Sequence, residues 1–213
     1  MLEFDEHGPE FGDHDAMDPG PIGLLPASSD LADYLAADDV IDHGHPEIRA
    51  LADRLCGDSR QAGARAAFEY VRDEVAHSAD VGEWSAAYRA SDVLASGNAI
   101  CHGKVHLLTA LLRAQGTAAG LCYQRLGVLH GLVAVHWPAT GGWVRLDPRG
   151  NKPGVDARFA TEPGAERLAW VPDPAAGELD YPTVYPSTPP VLRQALDRAR
   201  PGAQGYGYLP SEL

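Results

Sequence analysis

A change of hydrophobic periodicity in the middle of the chain constrains the fold most strongly. Residues 101–115 form an unbroken helical run that is apolar on most sides, and Gly116 ends it. Residues 119–126, 130–137 and 142–147 then alternate in the manner of β-strands joined by tight turns. A buried helix that precedes antiparallel strands predicts an α+β fold in which the helix packs on the sheet.

Further segments of the chain have helical periodicity or helix-capping residues. These segments are residues 31–37, 46–55, 60–77, 91–95 and 191–199. Six prolines between residues 172 and 190 predict an extended wrap over the surface. The sequence therefore predicts a folded domain at 28–170, followed at 171–213 by a Pro-rich wrap that contains a short C-terminal helix.

Negative charge is concentrated at one end of the chain. The net charge is −13, yet residues 1–48 hold 13 Asp or Glu and no Lys or Arg, whereas residues 49–213 hold 17 of each sign. No basic stripe exists to neutralise phosphates, so we expect no nucleic-acid partner. Residues 1–27 lack periodicity and predict an acidic, flexible segment. Besides a solvated arm, this segment could be a docking arm for a cationic partner.

Cysteine usage and hydropathy indicate the compartment. No apolar stretch reaches the roughly 18 residues that cross a bilayer, and no secretory signal is recognisable, so we expect no membrane partner. The chain has an odd number of cysteines, Cys56, Cys101 and Cys122, and their spacing matches no zinc site. We therefore expect a protein of the reducing cytoplasm without a disulfide framework.

Three residues have the order and context of a thiol nucleophile, its base and the orienter of that base. Cys101 begins the buried helix, where unpaired N–H groups and the helix dipole favour a thiolate. His130 begins a strand and Asp147 ends the next one. A cysteine nucleophile needs a nearby imidazole, and the imidazole needs a third group to fix its tautomer. The alternatives are a small core cysteine, a structural histidine and an aspartate that merely ends a strand.

The register of the predicted hairpin tests whether the base and its orienter can meet. A four-residue loop pairs Trp137 with Gly142 and places Leu132 opposite Asp147. His130 is then one diagonal step from Asp147, about 7–8 Å between α-carbons, which two side chains can bridge. The hairpin therefore predicts a hydrogen bond between the imidazole and the carboxylate.

The same alternation predicts which residues line the site. Trp143 and Arg145 share a strand face with Asp147, and His102 follows the cysteine directly. We expect these three side chains to line the site. We also expect the helix that begins at Cys101 to pack on the sheet face that carries His130.

Three blocks of the chain carry a recognisable pattern in a fixed order. They are the helix that begins at Cys101, the segment His130-Gly131-Leu132-Val133-Ala134-Val135 and the segment Gly142-Trp143-Val144-Arg145-Leu146-Asp147-Pro148. Together they resemble the cysteine, histidine and aspartate blocks of the transglutaminase-like cysteine enzyme superfamily. Segments 70–75, 122–126 and 149–156 are similar to a bacterial group of small stand-alone members. The resemblance covers about residues 30–170.

This resemblance implies a papain-like core with a catalytic domain at 28–170 and acyl transfer through a thioester. It implies that Cys101 is the nucleophile, His130 the general base and acid, and Asp147 the orienter. The Cys101 backbone N–H is one expected oxyanion donor, and Gln124 is a candidate for the second. No calcium loop is recognisable, so we expect neither a metal nor another cofactor.

Three functions are compatible with these residues. The preferred one is hydrolysis of an amide or related acyl substrate, as in a protease or amidase, through a thioester on Cys101. The alternative is an amide-forming acyltransferase, for instance in natural-product biosynthesis, whose donor would be an acyl thioester. A second alternative is a non-catalytic binding module on the same fold. The expected partner is thus a peptide, amide or acyl-thioester substrate.

Overall fold

A computed structural model of the chain describes residues 22–202 and 205–213. Most of the segment predicted to be acidic and flexible, residues 1–27, therefore lies outside the described residues. Its described end is paired, because Leu25–Pro26 forms a strand alongside Thr183–Val184 in parallel orientation.

Five of the six α-helices in the described residues precede the main sheet in the sequence. The α-helices of the described residues are α1 (Pro46–Arg54), α2 (Arg60–Glu74), α3 (Ser78–Val81), α4 (Ala90–Ser96), α5 (Cys101–Ala114) and α6 (Pro190–Leu196). Single 3₁₀ turns cover Leu31–Tyr34 and Pro174–Ala176. Helix α1 begins at a proline, whose fixed φ suits a first turn. The Ser59 side chain caps α2 by accepting a hydrogen bond from the Ala62 N–H at 3.1 Å.

The strands confirm the predicted α+β class. In the described residues they are β1 (Leu25–Pro26), β2 (Ala76–His77), β3 (Asn98–Ala99), β4 (Ala119–Leu126), β5 (Val128–Trp137), β6 (Gly142–Leu146), β7 (Leu179–Asp180) and β8 (Thr183–Val184). The main sheet is antiparallel and has the order β6-β5-β4-β7. Its fourth strand, β7, lies in the segment that the sequence predicted only as an extended wrap.

Helix α5 is enclosed, as its apolar periodicity predicts. Every residue from Cys101 to Arg113 is buried. Gly131 of β5 permits the close approach of this helix, because a Cβ at that position would lie 2.9 Å from Nδ1 of His102 and 3.5 Å from Cγ2 of Val105. The helix and the sheet therefore meet beside the start of α5.

The face on which α5 packs differs from the prediction. Gly131 and its alternating neighbours Val133 and Val135 face the helix, and the two valines share its apolar core. Leu132 and Ala134, which alternate with them, belong to a second cluster with Tyr34 and Val184 on the other face. Both faces of β5 are apolar, so alternation alone did not identify the face that receives the helix.

Helix α2 is shorter than predicted. It ends at Glu74 rather than at residue 77, because β2 pairs in parallel with β3 and places His77 beside Ala99. Pairing across about twenty residues of sequence overrides the local helical periodicity. As a result His77 lies on a strand rather than a helix, and it pairs with Ala99, two residues before Cys101 in the sequence.

A buried lysine fixes the start of α5 against the end of α2. The Lys104 ammonium has no exposed surface and donates hydrogen bonds to the backbone carbonyls of Arg72, at 3.2 Å, and Val75. These are carbonyls that the end of α2 leaves without helical partners. None of the helices in the described residues is long and apolar enough to cross a membrane.

Candidate active site

Cys101 occupies the first position of α5. The residue before it, Ile100, has extended backbone and provides no side-chain cap, so the first N–H groups of the helix are not occupied by a capping side chain. The cysteine is only 6% exposed, and it lines a cleft of about 500 Å³ that also contains His130 and His77. A thiol at this position is close to the positive end of the helix dipole.

His130 and Asp147 form the hydrogen bond that the hairpin register predicts. Strands β5 and β6 pair with Trp137 opposite Gly142, as predicted. The Nε2–H of His130 donates to Oδ2 of Asp147 at 2.9 Å. This bond fixes the tautomer and leaves Nδ1 of the imidazole for the thiol.

The Asp147 carboxylate is fully buried and held by two backbone groups besides the imidazole. The N–H of Arg149 donates to Oδ1 at 3.1 Å, and the N–H of Ala169 donates to Oδ2 at 3.0 Å. Donors to both oxygens hold the carboxylate in one orientation. The orientation of the His130 ring is therefore fixed, through Asp147, by the backbone N–H groups of Arg149 and Ala169.

Charges at the site favour a thiolate beside an imidazolium. Burial alone would raise the pKa of the Cys101 thiol, but attraction to and hydrogen bonding with His102, and hydrogen bonds with His130 and His77, hold that pKa well below its ordinary value. Burial would likewise lower the pKa of His130, yet the Asp147 carboxylate and the Cys101 thiolate raise it to about 10. The two groups stabilise each other's charged forms.

Two further histidines contact the nucleophile. His77 is 6% exposed, lines the cleft, and has an Nδ1 atom that is buried without a hydrogen-bond partner among the described residues. His102 donates from Nε2 to the backbone carbonyl of Leu129 at 3.1 Å, which links α5 to the residue before His130. Sequence reasoning missed His77 because it was assigned to a helix, and only the pairing of β2 with β3 brings it to the site.

The cleft is lined by both apolar and charged side chains. Its apolar lining, here called the apolar wall, includes Leu126, Val128, Leu129, Trp170 and Val171. Among the charged lining residues, Arg149 and Lys152 both pair with Asp80, and Nζ of Lys152 lies 2.7 Å from the carboxylate. The cleft can therefore accept an acyl group with an apolar side chain next to the thiol.

Four residues predicted for the site have other positions or partners. Gln124 donates from Nε2 to the Asp180 carboxylate at 2.9 Å and to the Trp170 carbonyl at 3.3 Å, so its donors are not available to an oxyanion. His102 contacts the thiol but is fully buried and does not line the cleft.

Trp143 and Arg145 lie away from the cleft. The Trp143 ring packs at 4.7 Å from that of Tyr34, in the apolar cluster on the sheet face opposite α5. Arg145 pairs with Asp180 at 2.6 Å and Glu166 at 3.5 Å. Both predictions were wrong because α5 packs on the opposite face of the sheet from these two side chains. A position on the same strand face as His130 therefore does not bring a side chain close to Cys101.

The sequence matches a family model over this region. Residues 49–148 match the transglutaminase-like superfamily, and the match includes Cys101, His130 and Asp147. This match covers residues 49–148, and that region of the chain is similar to the transglutaminase-like superfamily. None of the curated proteins matches the sequence.

Two solved structures are similar to this chain over part of its length. One is a candidate cysteine protease from Cytophaga hutchinsonii, with 16% identity and a TM-score of 0.48 over 61% of this chain and 46% of that chain. The other is the periplasmic domain of TgpA from Pseudomonas aeruginosa, with 21% identity and a TM-score of 0.44 over 57% of this chain and 48% of that domain. The matched region thus spans less than half the length of either relative.

Proposed function

We propose that this chain is a cysteine-dependent acyl-transfer enzyme that hydrolyses an amide or related acyl substrate through a thioester on Cys101. The observation that carries this proposal is the arrangement of His130, which donates to Asp147 at 2.9 Å and contacts the thiol with its other side. Such an arrangement supplies a nucleophile, a proton carrier and an orienting carboxylate in one cleft.

In this proposal each of the three side chains has one role. The Cys101 thiolate attacks the carbonyl carbon and forms a C–S bond. As the bond to the leaving amine breaks, the His130 imidazolium gives its proton to that amine. His130 then takes a proton from water, whose oxygen displaces the thiolate and releases the acid. Asp147 stabilises the imidazolium and keeps its orientation throughout.

The oxyanion needs two donors near the thiol. The Cys101 backbone N–H at the start of α5 is the first, as the sequence predicts. We propose that an N–H of the His77 ring is the second, in place of Gln124. Its support is the position of His77 beside the thiol in the cleft and its Nδ1 atom without a partner among the described groups.

Hydrolysis, rather than transfer to an amine, is favoured by the access of water to the cleft. Val171 and Lys152 at its rim are exposed. Transfer to an amine depends on the exclusion of water from the thioester.

An activated ester tests the proposal. After incubation with p-nitrophenyl acetate, the intact mass of the protein should rise by one acetyl group carried on Cys101, and the adduct should be lost in water. Cys122→Ala is the matched control, because it removes the other buried thiol and should still form the adduct. Absence of any adduct on Cys101 would remove the thioester mechanism, and persistence of the adduct until an amine is added would favour the acyltransferase.

The compartment is a related proposal. All three cysteines are unpaired, including the exposed Cys56. Free thiols of this kind persist where glutathione and thioredoxin maintain reducing conditions. We therefore propose the cytoplasm, which a fractionation experiment with the native protein would test.

A further inference from the structure

The C-terminal end of the described chain lies over the nucleophile. We call residues 205–213 the covering segment. Two of its side chains, Tyr206 and Leu209, line the same cleft as Cys101 and His130, and Leu209 is only 8% exposed. The nucleophile is therefore enclosed in part by a segment that belongs to neither the helix nor the sheet.

A backbone hydrogen bond joins this segment to the strand that carries the base. The N–H of Leu129, the residue before His130, donates to the carbonyl of Pro210 at 3.2 Å. Strand β6 pairs with β5 only as far as Val133, so the edge of β5 beside Leu129 has no strand partner on that side. An unpaired strand edge of this kind binds extended peptides through their main-chain groups.

The covering segment is anchored by contacts at its two ends. At one end the Tyr206 ring packs edge-on against Trp84 at 5.1 Å between centroids. At the other end the Leu213 N–H donates to the Tyr181 hydroxyl at 3.2 Å, and Arg125 lies 3.7 Å from Glu212. The ion pair is substantially exposed and contributes little. Between these ends Leu209 joins the main apolar cluster, so displacement of the segment would uncover that side chain.

The tyrosines of the covering segment are close enough to the thiol to respond to its charge. Burial and then the negative charge on Cys101 together raise the pKa of Tyr206 to about 12. Burial and the same thiolate also raise the pKa of Tyr208 to about 12. Both phenols therefore remain neutral next to the thiolate across the physiological pH range.

We propose that the covering segment occupies the site of the acyl substrate, and that this substrate is an extended peptide with a large apolar residue. In this arrangement the Leu129 N–H binds a substrate carbonyl in place of that of Pro210, and an apolar side chain takes the place of Leu209. The apolar wall that includes Val128 and Trp170 receives that side chain. This inference rests on the proposed function for the fate of the peptide, but not for its binding.

Peptide binding to a protein without the nucleophile tests the site separately from the chemistry. The probes are two fluorescent peptides of the sequence Gly-Tyr-Gly-Tyr-Leu-Pro, one of which has Asp in place of Leu. The proteins are Cys101→Ala alone, the same protein with Tyr206→Ala and Leu209→Ser, and a control with Val191→Ser. Val191 is an exposed apolar residue that does not line the cleft.

We expect the Leu peptide to bind the protein with the altered covering segment about tenfold more tightly than Cys101→Ala alone, because self-occupancy no longer competes. The control should bind as Cys101→Ala does, and the Asp peptide should bind none of them. Equal affinity of the Leu peptide for all three proteins, or equal binding of the two peptides, would overturn the proposal. Since none of these proteins has the thiol, failure of the acyl-transfer test leaves this result unchanged.

A second measurement needs no change in the covering segment. In the chain that carries only Cys101→Ala, an excess of the Leu peptide should increase hydrogen exchange of residues 205–213, because the peptide displaces them. The Asp peptide should leave that exchange as it was. Unchanged exchange at saturating Leu peptide would show that the peptide and the covering segment do not share a site.

Discussion

Cys101 and Cys122 are both buried cysteines, but the pKa of the Cys101 thiol is lowered and that of the Cys122 thiol is raised. Burial raises the pKa of the Cys122 thiol, against a smaller opposing effect of Arg145. Burial has the same effect on Cys101, but its neighbouring histidines outweigh it and lower the pKa well below the ordinary value. The two thiols thus differ above all in the charged groups that surround them.

The surroundings differ because of the elements that carry the two cysteines. Cys122 lies within β4, where its side chain joins an apolar cluster with Leu132 and Val184. Cys101 begins a helix whose first turn points N–H groups into a cleft lined by imidazoles. Burial without compensating charge keeps a thiol protonated, whereas burial next to imidazolium groups keeps it ionised.

The largest effect that would test this comparison is the loss of acyl transfer on removal of one thiol but not the other. Cys101→Ala should reduce turnover of an activated ester by about 10⁴-fold or more, because no other group can form the thioester. Cys122→Ala should stay within about threefold of the unaltered chain, since a buried neutral thiol takes no part in the chemistry. Similar losses in the two variants would mean that Cys101 is not the nucleophile.

The next largest effect concerns the carboxylate behind the imidazole. Asp147→Asn should reduce turnover on the order of 10³-fold. The imidazolium loses its charged partner, and the tautomer of the neutral ring is no longer fixed. In the unaltered chain activity should fall as pH rises through the His130 pKa of about 10, where the proton needed by the leaving group is lost. Asn carries no charge to raise that pKa, so the alkaline limit of activity should move to lower pH.

The measurement is the pH dependence of kcat/KM for an amide substrate, whose leaving amine needs a proton, with the unaltered and Asp147→Asn proteins. As pH falls through the lowered pKa of Cys101, the thiolate gains a proton and activity declines on the acid side as well. An alkaline limit that does not move in Asp147→Asn would show that the carboxylate does not set the pKa of the base.

A smaller effect separates the role of His77 from that of His130. His77→Gln should reduce acyl transfer by about 10²-fold, the usual loss when one oxyanion donor is removed. Alkylation by iodoacetamide forms no oxyanion, so the same variant should lose at most a few-fold in that rate. His130→Gln should slow both reactions. If His77→Gln slows alkylation and acyl transfer equally, His77 acts on the thiol rather than on the oxyanion.

The alkylation rate of Cys101 itself tests the lowered pKa. Between pH 8 and pH 6 the rate at Cys101 should fall far less than that of a free cysteine with a pKa near 8.5, which falls by roughly 80-fold. Peptide mass mapping after timed exposure to iodoacetamide measures the rate at each thiol. If the alkylation rate at Cys101 falls with pH as steeply as that of free N-acetylcysteine, the pKa of the Cys101 thiol is not lowered.

The smallest expected effect is on stability. Cys122→Ala should lower the free energy of unfolding by about 1–2 kcal/mol, because it leaves a small cavity in an apolar cluster. Urea unfolding monitored by tryptophan fluorescence measures this change. No loss, or a gain, would show that the site of Cys122 collapses around the smaller side chain.

Much of the core could be predicted because the sequence patterns that determine it lie in short segments of the chain. The strand β4 and the start of α5 have the bounds that periodicity predicts, and the Trp137–Gly142 register follows from a four-residue loop. That register in turn predicts the contact between His130 and Asp147, since alternation and loop length fix which residues face one another. These features need information only from residues near one another in the sequence.

The other parts of the site depend on contacts between distant segments. His77 reaches the thiol through the pairing of β2 with β3, and the amide of Gln124 is taken by Asp180 of the strand β7. Neither pairing has a periodic signature. The covering segment likewise has no pattern that relates it to Leu129, and their hydrogen bond exists only in the folded chain.

By itself the sequence determined that a thiol begins a buried helix and that an imidazole meets a carboxylate on a hairpin. Tertiary structure decided which face of β5 receives that helix. Leu132 and Ala134 on one face are as apolar as Val133 and Val135 on the other, so hydrophobicity along the strand does not distinguish them. The choice follows from the packing of all surrounding elements together, because only the complete core determines which face buries the larger apolar area.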